Sequence, residues 1–284
     1  MATIPTQSPR IQDHQLRNAV LDVQTSFGKL IYPKGKTLGK FGRTTNADSG
    51  QKVTIAPFIG ATQYNETYST SNDIDAVVSS SGSDTSPLNI EGHYYDSNNE
   101  LVFATETVTL TGQTPAALSR SYCRINRKYV KTGTFAAPTT ALVGNIYAYA
   151  SDGVTVTNGV PQTDTAVKCM ITAGENQTDK AASSISKDDF YVVTSIFASI
   201  SKAAGSAVNV DVGLEYRVQG GVFLPAGPEI SLRTAALTAI YFNLNPYPIL
   251  PANCDFRLTA QSDTNNTTVT AYIGGILCAV QGDA

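Results

Sequence analysis

The residues that most often carry catalysis or metal binding are few and scattered along this chain. Its two histidines are His14, in a stretch rich in Gln, Ser and Arg, and His93, within a β-patterned run. These different settings argue against a metal site or an acid–base pair shared by the two imidazoles. The carboxylates Asp188 and Asp189 precede a strand-like run, where adjacent side chains point to opposite faces. We therefore predict no catalytic residue and expect that the chain is not an enzyme.

Two short motifs look like binding sites for phosphate and calcium. Gly35-Lys36-Thr37 matches the end of a phosphate-binding loop, but the position five residues before Gly35 is Leu30 instead of glycine. Asp96, Asn98 and Glu100 offer the oxygen ligands that Ca²⁺ prefers. The same stretch is typical of a hairpin turn, and we favour the turn over the calcium site. No cofactor and no metal is predicted.

The four cysteines show no pairing pattern. None belongs to a Cys-x-x-Cys motif, and the N-terminal MATIPTQSPR has no apolar segment of the kind that a secretory signal carries. Without such a signal, a reducing compartment is expected. We predict four free thiols, at Cys123, Cys169, Cys254 and Cys278.

Composition argues against two classes of binding protein. A net charge of −3 does not favour a nucleic-acid partner or an anionic membrane. The longest apolar stretch, 271–280, is too short to span a bilayer. Charged residues make up 15% of the chain, against about 25% in average soluble proteins. Low charge with much Thr, Ser and Asn suits sheet surfaces and surfaces that partner subunits cover.

Charge is segregated along the chain. Residues 1–43 have a balance of +5, residues 44–119 of −8 and residues 120–131 of +5. Segregated signs favour complementarity between subunits, although loops can also cluster charge without any function. We predict that the basic N-terminal region contacts a partner. Its candidate interface residues are Arg10, Arg17, Lys29, Lys34, Lys36, Lys40 and Arg43.

Strand-like alternation begins near Lys52 and continues to the end of the chain. Every second residue from Val208 to Tyr216 is apolar, and the residues between them are polar or glycine. Two β-rich runs, 88–95 and 100–110, flank a short Asp/Ser/Asn connection that predicts a hairpin. The stretch 11–21 has only a weak helical face. Many short strands with turn signals between them predict a sandwich, a jelly roll or a barrel.

The predicted organisation has three parts. Residues 1–24 form an extended N-terminal arm, since Pro5 and Pro9 interrupt regular structure there. Residues 25–160 form a β-rich domain, and residues 161–284 form a jelly-roll-like β-sandwich. The boundary is drawn at Asn158-Gly159-Val160-Pro161, a run of turn-forming residues. The expected fold class is all-β.

Several segments carry a family resemblance. They are VVSSSGSDTS at 77–86, IEGHYYDSNNELVFATETVTLTGQTP at 90–115, AGENQT at 173–178 and, most characteristic, YPILPANCDFRLTAQSDTNNTTVTAYIGGIL at 247–277. With these the chain resembles virion structural proteins of tailed bacteriophages, especially those of marine and cyanobacterial hosts. It departs at Ser186-Lys187-Asp188-Asp189, where the family commonly has a Pro-Ala-Gly-Lys-like turn.

The resemblance implies jelly-roll-type domains and a non-enzymatic role in the particle. The implied function is that of a capsid decoration or cement protein that clamps neighbouring major capsid subunits on the virion exterior, after assembly in the host cytoplasm. Such proteins are typically homo-oligomers, frequently trimers. The family supplies no catalytic residues.

Two other functions stay open at this point. One is a phage appendage, a head fibre or a tail tip, that binds a host receptor or glycan. The fourteen tyrosines could stack on sugars, but they are dispersed, which favours interface or core packing. The other is a carbohydrate-active enzyme, which would need two carboxylates facing one cleft, and nothing in the sequence selects such a pair.

Overall fold

The computed structural model describes residues 31–57, 68–130, 141–201, 207–234, 238–244 and 247–280. Within these ranges the first strands are β1 (Ile31–Ala47), β2 (Val53–Thr54), β3 (Ile74–Ser79), β4 (Pro87–Tyr95), β5 (Leu101–Thr109), β6 (Ala116–Tyr122), β7 (Arg124–Val130), β8 (Ile146–Ala150), β9 (Val156–Thr157) and β10 (Val160–Pro161). After a 3₁₀ turn (Asp164–Ala166) follow β11 (Val167–Ile171), β12 (Ala182–Ile185), β13 (Asp189–Ser201), β14 (Asn209–Val218), β15 (Leu224–Pro225), β16 (Ile230–Arg233), β17 (Ala239–Asn243), β18 (Ile249–Leu250), β19 (Cys254–Ser262) and β20 (Thr267–Val280).

The all-β prediction is confirmed. The described ranges contain antiparallel sheets and no α-helix. They accordingly include no helix with the length and apolar character needed to cross a membrane.

The largest hydrophobic core of the described residues lies between a five-stranded and a six-stranded sheet, which together we call sandwich I. The five-stranded sheet has the order β1-β20-β13-β17, with β18 added to β13. The six-stranded sheet has the order β12-β19-β14-β15, with β16 on β14 and β2 on β19. Buried residues from both sheets form one cluster, among them Ile273 of the first and Leu214 and Phe256 of the second.

The predicted alternation explains how β14 covers this core. Val210, Val212 and Leu214 are buried, and they alternate with positions whose side chains lie on the other face. Glu215 is also buried. Arg257 on the neighbouring strand compensates for the burial of this carboxylate by donating two hydrogen bonds to its Oε2 atom, at 3.0 and 2.9 Å.

The second core lies between a four-stranded sheet, β11-β8-β3-β6, and a three-stranded sheet, β5-β4-β7, which together we call sandwich II. Leu88, Ile90 and Ile125 from the smaller sheet pack with Ile74 and Ile146 from the larger one. Both cores are thus closed by antiparallel sheets packed face to face.

The predicted hairpin is confirmed as β4 and β5, which pair from Pro87–Thr109 to Tyr95–Leu101. In its turn, Asp96 Oδ1 accepts hydrogen bonds from the main-chain N–H groups of Asn98 and Glu100. Lys187 donates to the carboxylates of Asp96 and Glu100, at 2.9 and 3.3 Å. The carboxylates of the candidate calcium site therefore stabilise the hairpin turn and bind Lys187.

The start of the strand region near Lys52 was predicted too late, because β1 spans 17 residues before it. Charged residues and glycines obscure its pattern. A Cβ atom at Gly42 would lie 2.3 Å from the main-chain nitrogen of Ala181 and the main-chain oxygen of Ile55, so only glycine fits there. The Gly35-Lys36-Thr37 motif lies inside this strand and not in a phosphate-binding loop.

Several strand pairs cross the predicted boundary at residue 160. β1 pairs with β20 along its length, β2 pairs with β19, and β11 pairs with β8. The division into 25–160 and 161–284 stays a prediction. The predicted arm, 1–24, lies outside the described residues.

Candidate interaction surface

Four aromatic residues lie in one row across the outer face of the five-stranded sheet of sandwich I. The strand register places Phe41 of β1 opposite Tyr272 of β20, Tyr272 opposite Phe197 of β13, and Phe197 opposite Tyr241 of β17. Phe41, Tyr272 and Tyr241 are 43%, 36% and 60% exposed, and Phe197 is half-buried. With strands about 4.8 Å apart, the row runs roughly 14 Å across the sheet. We call it the aromatic row.

Two glycines let the ring of Tyr272 lie flat on this sheet. A Cβ atom built on Gly39 would be 2.6 Å from the Tyr272 hydroxyl, and one on Gly274 would be 2.8 Å from a ring carbon. The ring therefore occupies the space above both glycines and presents its other face outward. A flat ring offers a large contact area at little cost in side-chain entropy.

The positions next to the aromatic row on the same sheet face are nearly uncharged, whereas at the β1 end Phe41 and Tyr272 also line a cavity with Lys40, Glu91, Arg127 and Lys180. The flanking rows on the same face consist of Arg43, Thr270, Ser199 and Ala239 on one side and Gly39, Gly274, Ser195 and Asn243 on the other. Arg43 is the one charged residue among these eight positions. Aromatic enrichment with few charges is the composition of the centre of a protein interface.

The predicted interface residues take different positions. Arg10, Arg17 and Lys29 lie outside the described residues, and Lys34 is described only as part of the β1 backbone. Arg43 is exposed beside the aromatic row, whereas Lys36 is exposed on β1 and lines a cavity with Glu91 and His93 of β4. Lys40 is buried and donates to the main-chain oxygen of Asn126, at 3.2 Å, so it contacts the chain itself. Binding of a partner by these residues stays a prediction.

A buried ionic cluster joins the two sandwiches behind this sheet. Arg124 of sandwich II donates to both carboxylate oxygens of Asp255 in sandwich I, at 2.8 and 2.9 Å, and both side chains are almost fully buried. Arg217 and Ser184 also donate to Asp255, at 3.0 and 2.6 Å. Burial raises the pKa of Asp255, but the charges and hydrogen bonds of Arg124, Ser184 and Arg217 outweigh it and lower this pKa below its usual value. The bidentate pair fixes one sandwich against the other.

Aromatic rings and guanidinium groups stack beside this cluster. Arg217 lies 4.1 Å from the centre of the Tyr68 ring, Arg124 lies 4.9 Å from the same ring, and Arg257 lies 3.9 Å from the centre of the Phe223 ring. The two rings are 5.2 Å apart. These contacts hold the segments around Tyr68 and Phe223 against β14 and β19.

Lys128 lies in the interior of sandwich II with no exposed surface. Its ammonium donates to the main-chain oxygens of Ile146 and Cys169, both at 2.9 Å. Burial lowers its pKa from 10.5 to about 8, with a further lowering by the charge of Lys180 and an opposing effect of Cys169. Below pH 8 the folded chain therefore carries a buried positive charge.

The lowered pKa of Lys128 should make the unfolding free energy depend on pH. Between pH 8 and about 10 the folded chain has released the Lys128 proton while the unfolded chain still holds it, so raising the pH favours folding. The unfolding free energy of the wild type relative to Lys128→Met should rise by about 2–3 kcal/mol from pH 7 to pH 10. Urea unfolding of both proteins at several pH values measures this difference. A difference that is constant with pH would contradict it.

The four cysteines are free and buried. Burial raises the pKa of Cys123 to about 12 and that of Cys278 to about 11, which keeps both as thiols at neutral pH. We expect slow alkylation of the native protein at pH 8. Unfolding in guanidinium without reductant should then yield four modified cysteines by mass spectrometry, and any intact Cys–Cys cross-link would count against free thiols.

His93, which the sequence places in a β-patterned run, is buried between the two sandwiches. Its ring lies 2.7 Å from the Asn126 amide nitrogen and 3.1 Å from the Ser186 hydroxyl. Burial lowers its pKa to about 3; the charge of Asp255 opposes this shift, and the charges of Lys40 and Arg124 add to it. The ring is therefore neutral at physiological pH. Its neighbours in these hydrogen bonds are an amide and a hydroxyl.

Sequence reasoning missed the aromatic row because the four residues are far apart in the chain. The alternation of single strands indicates which face a side chain takes, but only the register of four strands brings Phe41, Tyr272, Phe197 and Tyr241 together.

No protein-family model matches the chain, and no curated protein matches it. Among solved structures, the chain is similar to that of infectious bursal disease virus, Gt strain, at 10% identity and a TM-score of 0.24, over 100% of this chain and 76% of that one. It is also similar to the VP2 subviral particle of the same virus, at 9% identity and a TM-score of 0.22, over 90% and 71% of the two chains. Identities and TM-scores of this size assign the chain to no family.

Proposed function

We propose that the chain is a non-enzymatic virion structural protein, a capsid decoration or cement protein that clamps neighbouring major capsid subunits. It acts as a homo-oligomer, a trimer, on the exterior of the particle. The observation that carries the proposal is the exposed, nearly uncharged aromatic row on the outer face of a rigidly supported sheet.

The aromatic row suits binding to a protein surface. Tyr and Phe are enriched in interface centres, and charged residues are depleted there. Arg43 lies beside the row and is one of the basic residues predicted to contact a partner. Exposed ion pairs contribute only about 0–1 kcal/mol each, so the rings supply most of the binding energy and Arg43 sets orientation.

The joint between the sandwiches suits a clamp. The Arg124–Asp255 pair holds two cores as one body, so tension on one sandwich is transmitted to the other. Trimerisation adds avidity, because three weak contacts on one particle act together.

Gradient-purified particles from an infected culture test the proposal. The expected result is that peptides of this chain co-sediment with the particles and that antibodies against it label their surface. If the chain is absent from intact particles, the proposal fails.

The alternative is an appendage that binds a host glycan, and the flat, exposed ring of Tyr272 is the observation that favours it. A glycan array distinguishes the two functions. Specific glycan binding that Tyr272→Ser abolishes, with labelling confined to fibres or the tail tip, would support the appendage.

A further inference from the structure

A polar cleft runs between β1 of sandwich I and β4 and β7 of sandwich II. It consists of two adjoining cavities of about 550 and 400 Å³. The cavities share the lining residues Thr37, Leu38, Lys40, Glu91 and Asn126, so they lie side by side.

Lys40 and Lys180 are buried cations of this cleft. Lys40 lines both cavities, and its ammonium donates to the main-chain oxygen of Asn126 at 3.2 Å. Among the described residues no carboxylate forms a salt bridge with it. A buried charge without a counter-ion is costly, so an anion that enters the cleft would gain a strong partner.

The other charged groups around the cleft leave an excess of positive charge. Lys36 of β1, Arg127 of β7 and Lys180 add cations, and Glu91 of β4 and Asp189 of β13 add carboxylates. Glu91 lies 4.0 Å from Arg127, which balances that pair. The neutral His93 and the hydroxyls of Thr178 and Ser186 supply polar surface.

We propose that this cleft is a binding site for an oxyanion, a carboxylate or a phosphate group, with Lys40 as its main contact. The group comes either from a small free anion or from an acidic side chain of another protein chain. The site does not depend on the proposed function, and its test uses no particles, so the two can fail separately.

Binding should depend on pH through Lys40. Burial lowers the pKa of Lys40 to about 8, an effect that Lys180 and Arg127 add to and Glu91 opposes. The ammonium is therefore charged at pH 7 and largely neutral at pH 9.5, where an oxyanion would bind at least ten-fold more weakly.

Thermal unfolding at pH 7 and constant ionic strength tests the site with inorganic phosphate as the probe. The wild type should show a saturable rise in Tm, and the affinity of Lys40→Met should be at least ten-fold weaker. Lys128→Met is the matched control, since it removes a buried lysine that lines neither cavity and should bind like the wild type. General stabilisation by phosphate acts on all three proteins alike. Equal Tm shifts in all three would overturn the proposal.

If Lys40→Met does not fold, a second measurement tests the site with the wild type alone. Phosphorus NMR line broadening with the wild type should decrease at least ten-fold between pH 7 and pH 9.5, and an unchanged signal would overturn the site.

Succinate and a hexaglutamate peptide distinguish the two sources of the oxyanion, a small free anion and an acidic side chain of another protein chain. Ten-fold tighter binding of the peptide supports an acidic protein segment, and equal affinities support a free anion. Absence of binding by phosphate, succinate and peptide alike overturns the proposal.

Discussion

Asp255→Ala should lower the unfolding free energy by about 3–5 kcal/mol. The substitution leaves the guanidinium groups of Arg124 and Arg217 without their carboxylate, and Arg124 is only 3% exposed. It also removes the acceptor of the Ser184 hydroxyl. A loss of this size is a large part of the total stability of a typical domain. Urea unfolding at pH 7, followed by far-UV circular dichroism, measures it.

Asp211→Ala is the matched control. Asp211 lies on β14 in the same sheet and accepts a hydrogen bond from Ser231 at the surface, so its removal should cost about 1 kcal/mol or less. If Asp255→Ala costs no more than Asp211→Ala, the ionic joint between the sandwiches does not stabilise the fold.

Because the pKa of Asp255 is lowered in the folded chain, the contribution of Asp255 to the unfolding free energy should persist above pH 4 and disappear as the pH falls further.

The double variant Phe41→Ser, Tyr241→Ser should bind particles at least ten-fold more weakly than the wild type. Both rings are exposed at the ends of the aromatic row, so their loss removes apolar contact area from the interface. The fold should be retained, with a cost of about 1 kcal/mol or less for each exposed position. Co-sedimentation of the labelled protein with particles that lack it measures the affinity.

A double variant of two exposed apolar residues elsewhere controls for general hydrophobicity. Val222→Ser, Leu224→Ser removes side chains that are 75% and 50% exposed, near the β15 end of the other sheet. This control should bind particles like the wild type. If both double variants weaken particle binding equally, the aromatic row is not part of the proposed interface.

Much of the fold could be predicted from the sequence, because alternation in single strands is a local property. The runs that became β4, β5 and β14 were found within one or two residues, and the turn at Asp96 was predicted from residue types alone. Such signals depend on neighbours along the chain and not on distant segments.

Features that depend on contacts between distant segments could not be predicted. β1 has charged residues and glycines where a strand pattern was sought, and its glycines are explained only by Tyr272, Ala181 and Ile55. The Arg124–Asp255 pair joins residues 131 positions apart, and no spacing rule indicates it. The aromatic row requires the register of four strands. These features position the proposed interface, so the site was less predictable than the fold.

Cryo-electron microscopy of intact, gradient-purified particles tests the central claim most directly. The proposed function predicts copies of the two sandwiches on the outer surface, grouped in threes, with the face that carries Phe41, Tyr272, Phe197 and Tyr241 against the capsid. Particles whose maps and peptide content both lack this chain would contradict it.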